Sequence, residues 1–131
     1  MILVILPIIL IVLFLTLGLV WFTPEFRANI LLWQGRERDA RKIFEYLLKQ
    51  NPEKVNLYGK LARIYCLEER RDKRAIRVFE IILKLRIPFQ WEDQIVPMVA
   101  RHYVTEGRKD SEAIRLIEKA VNIELTEVLN N

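Results

Sequence analysis

From Ile2 to Phe22 large apolar residues follow one another with no polar period, broken only by Pro7, Thr16 and Gly18. Beyond Thr23 the pattern changes to apolar residues returning at intervals of three and four. Ala40, Ile43, Phe44, Leu47 and Leu48 form one such set; Ala75, Val78, Phe79, Ile82 and Leu83 form a second; Ala113, Leu116, Ile117, Ala120 and Val121 form a third. That spacing lines one face of a helix and leaves the other to solvent. No segment alternates apolar and polar residues long enough to make a strand, so the chain is predicted to be all-α. The helices are expected over 2–22, 24–34, 37–50, 53–68, 72–86, 91–106 and 110–124.

Local chemistry supplies the boundaries. Thr23-Pro24-Glu25 is a good helix start: a capping residue, then proline at the first helical position, then an acid at the positive end of the dipole. Gly35 and Gly107 stand where helices can stop, and Asn51-Pro52 and Ile87-Pro88 mark further breaks. Pro97 leaves two choices: a helix starting at Asp93, with the proline in its first turn, or a longer, kinked one. Residues 125–131 hold too few apolar anchors to assign them to a helix or to a loop. No Ser/Gly-rich linker separates the parts, so three segments are expected: 1–22 as an anchor, 23–125 as a helical repeat domain, and 126–131 as a tail.

Charge sharpens the first of these. The 21 Lys and Arg and the 17 Asp and Glu all follow Phe22. An uncharged run of that length makes a helix of roughly 33 Å, enough to cross a hydrocarbon core of about 30 Å. Trp21 and Phe22 close it where an aromatic belt sits. A cleaved signal peptide needs a basic start and a small-residue cleavage site, and neither is present. Arg27, Arg36, Arg38, Arg41 and Lys42 lie close behind the run, while only the α-amino group precedes it. The positive-inside rule then puts the N-terminus outside and the repeat domain in the cytoplasm. The lone Cys66 provides no disulfide framework, which agrees with a reducing compartment.

The three periodic sets are also copies of one another. Ala40-Arg-Lys-Ile-Phe-Glu-Tyr-Leu-Leu48, Ala75-Ile-Arg-Val-Phe-Glu-Ile-Ile-Leu83 and Ala113-Ile-Arg-Leu-Ile-Glu-Lys-Ala-Val121 start 35 and 38 residues apart. Leu61-Ala62-Arg63-Ile64-Tyr65 pairs in the same way with Val99-Ala100-Arg101-His102-Tyr103, and in each the Tyr lies ten residues before the next Ala. A repeat of about 34 residues carrying two helices points to stacked helix pairs, an α-solenoid.

At these positions residues 24–125 resemble the tetratricopeptide repeat. Gly35, Ala40, Phe44 and Pro52 match in the first repeat, Ala62, Tyr65, Ala75 and Phe79 in the second, and Ala100, Tyr103, Gly107, Ala113 and Ala120 in the third. Leu31 stands in the usual Tyr position, Ile117 replaces an aromatic, and repeats two and three carry one extra residue between their helices. The resemblance implies a concave face made by the first helix of each pair. It would carry Asn29 and Trp33, then Asn56, Lys60 and Arg63, then Gln94 and Arg101, and Lys60, Arg63 and Arg101 would make it basic. Only Asn29 and Lys60 approach the family's carboxylate clamp, so the implied partner is a generic acidic peptide or helix rather than a chaperone C-terminus. The layout of an anchor followed directly by repeats is similar to bacterial inner-membrane proteins of lipopolysaccharide assembly, although their metal-binding cysteine module has no counterpart here.

The residue inventory argues against chemistry. One His and one Cys make no metal set, and His102, between Arg101 and Tyr103, reads as an ordinary helix histidine. Cys66 reads as a small buried hydrophobe. Gly18, Gly35, Gly59 and Gly107 are isolated and make no phosphate loop. The cluster Arg70, Arg71, Lys73, Arg74 and Arg77 is diluted by Glu68, Glu69 and Asp72, so it reads as a solvated turn rather than a nucleic-acid site. The expectation is a membrane-anchored adaptor or scaffold without catalytic residues, metal or cofactor, its partners being proteins. The alternative is a permanent accessory subunit of a larger membrane complex.

Overall fold

The computed structural model describes the backbone of residues 1–131 and every side chain except those of Val20 and Phe22. Among the described residues there are seven helices and no strand: α1 (Ile2–Phe22), α2 (Pro24–Trp33), α3 (Glu37–Gln50), α4 (Val55–Leu67), α5 (Lys73–Lys84), α6 (Glu92–Thr105) and α7 (Ser111–Asn130). They gather into two compact units, Met1–Glu53 and Lys54–Asn131.

In the first unit α1 is apolar on every side, and its large side chains are exposed along its length. It is the one helix among the described residues that is long and apolar enough to cross a membrane. Its one hydroxyl is satisfied internally, Thr16 Oγ1 donating to the Leu13 carbonyl at 2.9 Å. Thr23 then takes an extended backbone (φ −69°, ψ 133°) and α2 restarts with Pro24 at its first position. The Thr23 hydroxyl makes no cap bond, so the proline and the backbone break define this start. Helices α2 and α3 pack through the fully buried Ala28, Ala40 and Phe44, where small residues let the backbones approach and one ring fills the gap.

In the second unit each helix packs on the next in chain order, α4 on α5, α5 on α6 and α6 on α7. Tyr65, Phe79, Leu57, Leu61, Ile64, Ile82, Ile95, Val96 and Val99 are its largest fully buried side chains, with Ala62, Ala75 and Ala113 completely enclosed. Towards its end Val96, Ala100 and Ala120 form a cluster flanked by Leu83, Leu116, Ile117 and Ile123.

Four helices end on one device. Gly35, Glu69, Arg86 and Gly107 hold φ of 77°, 54°, 53° and 69°. The next N–H in each case turns back onto the helix: Arg36 to the Leu31 carbonyl at 2.8 Å, Arg70 to Tyr65 at 3.0 Å, Ile87 to Ile82 at 3.0 Å and Arg108 to Tyr103 at 3.1 Å. This is the six-to-one bond of a Schellman ending, which satisfies carbonyls the helix itself leaves orphaned.

Three boundaries differ from expectation. The helix expected over 110–124 runs on to Asn130. No glycine or proline follows to stop it, and Thr126 Oγ1 bonds back to the Asn122 carbonyl at 2.8 Å. The helix expected over 53–68 begins at Val55, since Pro52 and Glu53 form a turn and Lys54 is extended at the N-cap. The helix expected over 72–86 stops at Lys84, because Arg86 takes the left-handed conformation. Pro97 lies within α6, which begins at Glu92, one residue before the later of the two expected starts.

Candidate functional site

The expected contact residues fall into three places. Asn29 and Trp33 lie in the first unit, Asn29 half-buried on α2 and Trp33 at its end, 93% exposed. Asn56, Lys60 and Arg63 share one face of α4 by their spacing of four and three. The Arg63 guanidinium lies 5.8 Å from the centre of the Trp91 ring, a cation–π contact that holds this arginine against the entry to α6. Gln94 and Arg101 share a face of α6, two turns apart, and both are exposed.

The structure brings Gln94 and Arg101 together in an open cavity of about 650 Å³ within the second unit. The end of α4 supplies Cys66 and the turn after it Glu69, Arg70 and Arg71; α5 supplies Ile76; α7 supplies Ile123, Glu124 and Glu127. Asn56, Lys60 and Arg63 are not among its lining residues. Its charge is therefore mixed: Arg70, Arg71 and Arg101 stand with Glu69, Asp93, Glu124 and Glu127. An acidic ligand alone does not complement such a wall; a segment carrying both signs does. A second cavity, of about 430 Å³, lies between the end of α5, α6 and α7, with Glu92 accepting from Lys119 Nζ at 2.8 Å on its rim.

Burial pushes the Cys66 thiol up to about 11, so it stays protonated and weakly nucleophilic near neutrality. His102 Nε2 lies 2.9 Å from Glu106 Oε1, one helical turn on. Among the described residues no three His, Cys, Asp or Glu side chains gather as metal ligands would.

One constellation escaped the sequence reading. Arg70 lies with its guanidinium 4.4 Å from the centre of the Tyr65 ring and donates twice to Asp72, from Nε at 2.9 Å and Nη2 at 2.8 Å. Arg108 repeats this in the α6–α7 turn, 4.0 Å from the Tyr103 ring and bonded to Asp110 at 2.9 and 2.8 Å. Hydrogen bonds from these arginines hold the Asp72 and Asp110 carboxyls below the usual range. Asp110 also caps α7, accepting from the Ala113 N–H at 3.4 Å. Burial, reinforced by the charge of Glu80, raises Tyr103. The signal was present as the spacing Tyr-x4-Arg-x-Asp in both turns, but in one of them it lies inside a charge run that reads as solvated surface.

Comparison with protein-family models and with curated proteins finds no match to the chain.

Proposed function

We propose that this chain is a membrane-anchored adaptor of tetratricopeptide type, an α-solenoid of helix pairs that recruits or assembles proteins at the cytoplasmic face of a membrane. The observation that carries the reading is the open, mixed-charge cavity of about 650 Å³ lined by Gln94 and Arg101. Burial of the Ala and aromatic positions that define the repeat supports the register. The uncharged, exposed α1 supports attachment to a bilayer, and the basic residues behind it favour an outside N-terminus. The layout favours a bacterial inner membrane.

The test is copurification from crosslinked membranes. A Gln94→Ala/Arg101→Glu chain should recover its protein partner roughly tenfold less than wild type, as losing about 1.4 kcal/mol of charge complementarity would give. Arg77→Glu/Lys109→Glu, both exposed and outside the cavities, is the control. Equal recovery by the cavity variant and wild type would remove the groove from the function.

A second reading is a fixed subunit of a larger complex. It is favoured by α7, where Ile114, Val121, Leu125 and Val128 form an exposed apolar stripe. Extraction in mild detergent separates the two: a subunit leaves with its neighbours in constant stoichiometry, an adaptor does not.

A further inference from the structure

Helix α2 is apolar on two sides. Ala28 is buried against α3, and Leu31 and Leu32 flank it. Phe26, Ile30 and Trp33, spaced by four and three, share another face. Phe26 and Ile30 are only partly covered, and Trp33 is 93% exposed. A surface helix with one partner needs one apolar stripe, so this second stripe requires a second environment.

What supplies it follows from the neighbouring residues. The Phe26 ring lies 5.8 Å from the ring of Trp21, tilted by 56°. Trp21 belongs to the last turn of α1, the level at which a spanning helix leaves the hydrocarbon for the headgroups. The second stripe of α2 thus begins at the interfacial end of α1 and continues outward from it. The extended backbone at Thr23 makes α2 a separate helix, free of the direction of α1. Exposed Arg27 flanks the stripe, and exposed Arg38 follows in the next helix. The charge of Arg36 is partly answered by Asp39 at 2.8 Å. Apolar and indole side chains edged by arginine are the composition of a helix lying in a bilayer interface.

We propose that α2 lies on the surface of the bilayer that holds α1, with Phe26, Ile30 and Trp33 inserted between the lipids and Arg27 and Arg38 at anionic headgroups. This rests on reading α1 as a membrane span. The consequence is mechanical: the body is held at the bilayer by two adjoining helices, one across it and one along it, so α3, which packs on α2, is fixed close to the headgroups.

The experiment uses the full chain in phosphatidylcholine–phosphatidylglycerol vesicles with single-tryptophan variants. One keeps Trp33 (Trp21→Phe/Trp91→Phe); the other keeps Trp21 (Trp33→Phe/Trp91→Phe). Lipids brominated near the headgroup end of the acyl chain should quench Trp33 by about twofold or more, and acrylamide should quench it less in vesicles than in the urea-unfolded chain. Replacing phosphatidylglycerol with phosphatidylcholine should weaken the bromolipid quenching. Trp33 quenched by acrylamide alone, with Trp21 quenched by bromolipid, would overturn the proposal while leaving the anchor in place, and would return the stripe to a protein partner or to water. No bromolipid quenching of either residue would overturn the anchor reading itself. Trp33→Glu in the otherwise unaltered chain gives an independent measurement, since total bromolipid quenching should fall by the Trp33 share; no fall counts against the proposal.

Discussion

Phe79 is the sharpest test of the repeat register. Its side chain is fully buried on α5, one turn beyond the fully buried Ala75, with Ile76, Val78 and Ile82 also enclosed along that helix. Phe79→Ala removes an enclosed ring and leaves a cavity in a unit that buries few side chains of that size, so it should cost about 3–5 kcal/mol. With a urea dependence of about 2 kcal/mol per molar, the unfolding midpoint should fall by about 1.5–2.5 M. Ala75→Leu adds volume where none is free and should cost about 1–3 kcal/mol. The assay needs a probe confined to the second unit, and Trp91 provides it. In a Trp21→Phe/Trp33→Phe background in micelles its emission reports on the contact with Arg63 and on the α5–α6 turn. Ile114→Ala, at a position 45% exposed on α7, is the control and should move stability by no more than about 0.5 kcal/mol. A Phe79→Ala midpoint within about 0.3 M of the parent would refute the placement of Phe79 in the core, and with it the alignment of the three periodic sets.

Two further predictions concern the turns. Glu69 and Arg86 adopt the left-handed conformation without being glycine, at a cost of about 1–2 kcal/mol each, so Glu69→Gly and Arg86→Gly should each raise stability by about 0.5–1 kcal/mol in thermal melts after the entropy of glycine is subtracted. Asp72 and Asp110 are held below the ordinary carboxylate value of about 3.9 by Arg70 and Arg108, so their pairs stabilise the fold above that pH and lose the contribution as pH falls through the lowered values. The stability difference between wild type and an Arg70→Met/Arg108→Met chain should therefore be full near neutrality and shrink below about pH 4, as urea titrations at each pH would report.

Much of the fold was legible because apolar spacing and helix breakers agree. The spans 2–22 and 37–50 were readable to the residue, the first from its missing charges and the second from Gly35 before it and Asn51-Pro52 after it. Where a turn uses an ordinary residue the signal vanishes. Glu69 and Arg86 do the work of glycine, and nothing in the sequence marks them. The end of α7 was not legible for the opposite reason: helices continue until something stops them, and sparse apolar residues after Ile123 neither stop one nor mark it. Gln94 and Arg101, named from the repeat register, share a face of α6 and both line the cavity of about 650 Å³. Their separation from Asn56, Lys60 and Arg63 was not legible, because helical phase says which residues share a face and says little about which faces share a cavity. The division between Glu53 and Lys54 rests on contacts between helices, which no local pattern encodes.

The turns carry the repeat more clearly than the helices do. Helix-facing Ala and aromatic residues are common wherever helices pack closely, so their recurrence at 35 and 38 residues could reflect packing alone. The Tyr–Arg–Asp arrangement is more demanding. It needs an aromatic three residues before the helix cap, a left-handed residue after that cap, an arginine next and, two residues on, an acid at the N-cap position of the following helix. Both turns of the second unit that join a first helix to its successor, α4 to α5 and α6 to α7, meet every condition, with ring distances of 4.4 and 4.0 Å and paired bonds of the same lengths. The α5–α6 turn, which would separate one repeat from the next, has Ile82 in place of the tyrosine and Ile87 in place of the arginine. The α2–α3 turn keeps Gly35 and Arg36 but has Leu31 at the aromatic position and Arg38 where the acid would stand, Arg36 pairing instead with Asp39 inside α3. Within the second unit the arrangement is thus present in the α4–α5 and α6–α7 turns and missing from the α5–α6 turn between them, and in the first unit the α2–α3 turn has it only in part. The packing of each helix on the next gives no reason for that alternation, since α5 packs on α6 as it does on α4.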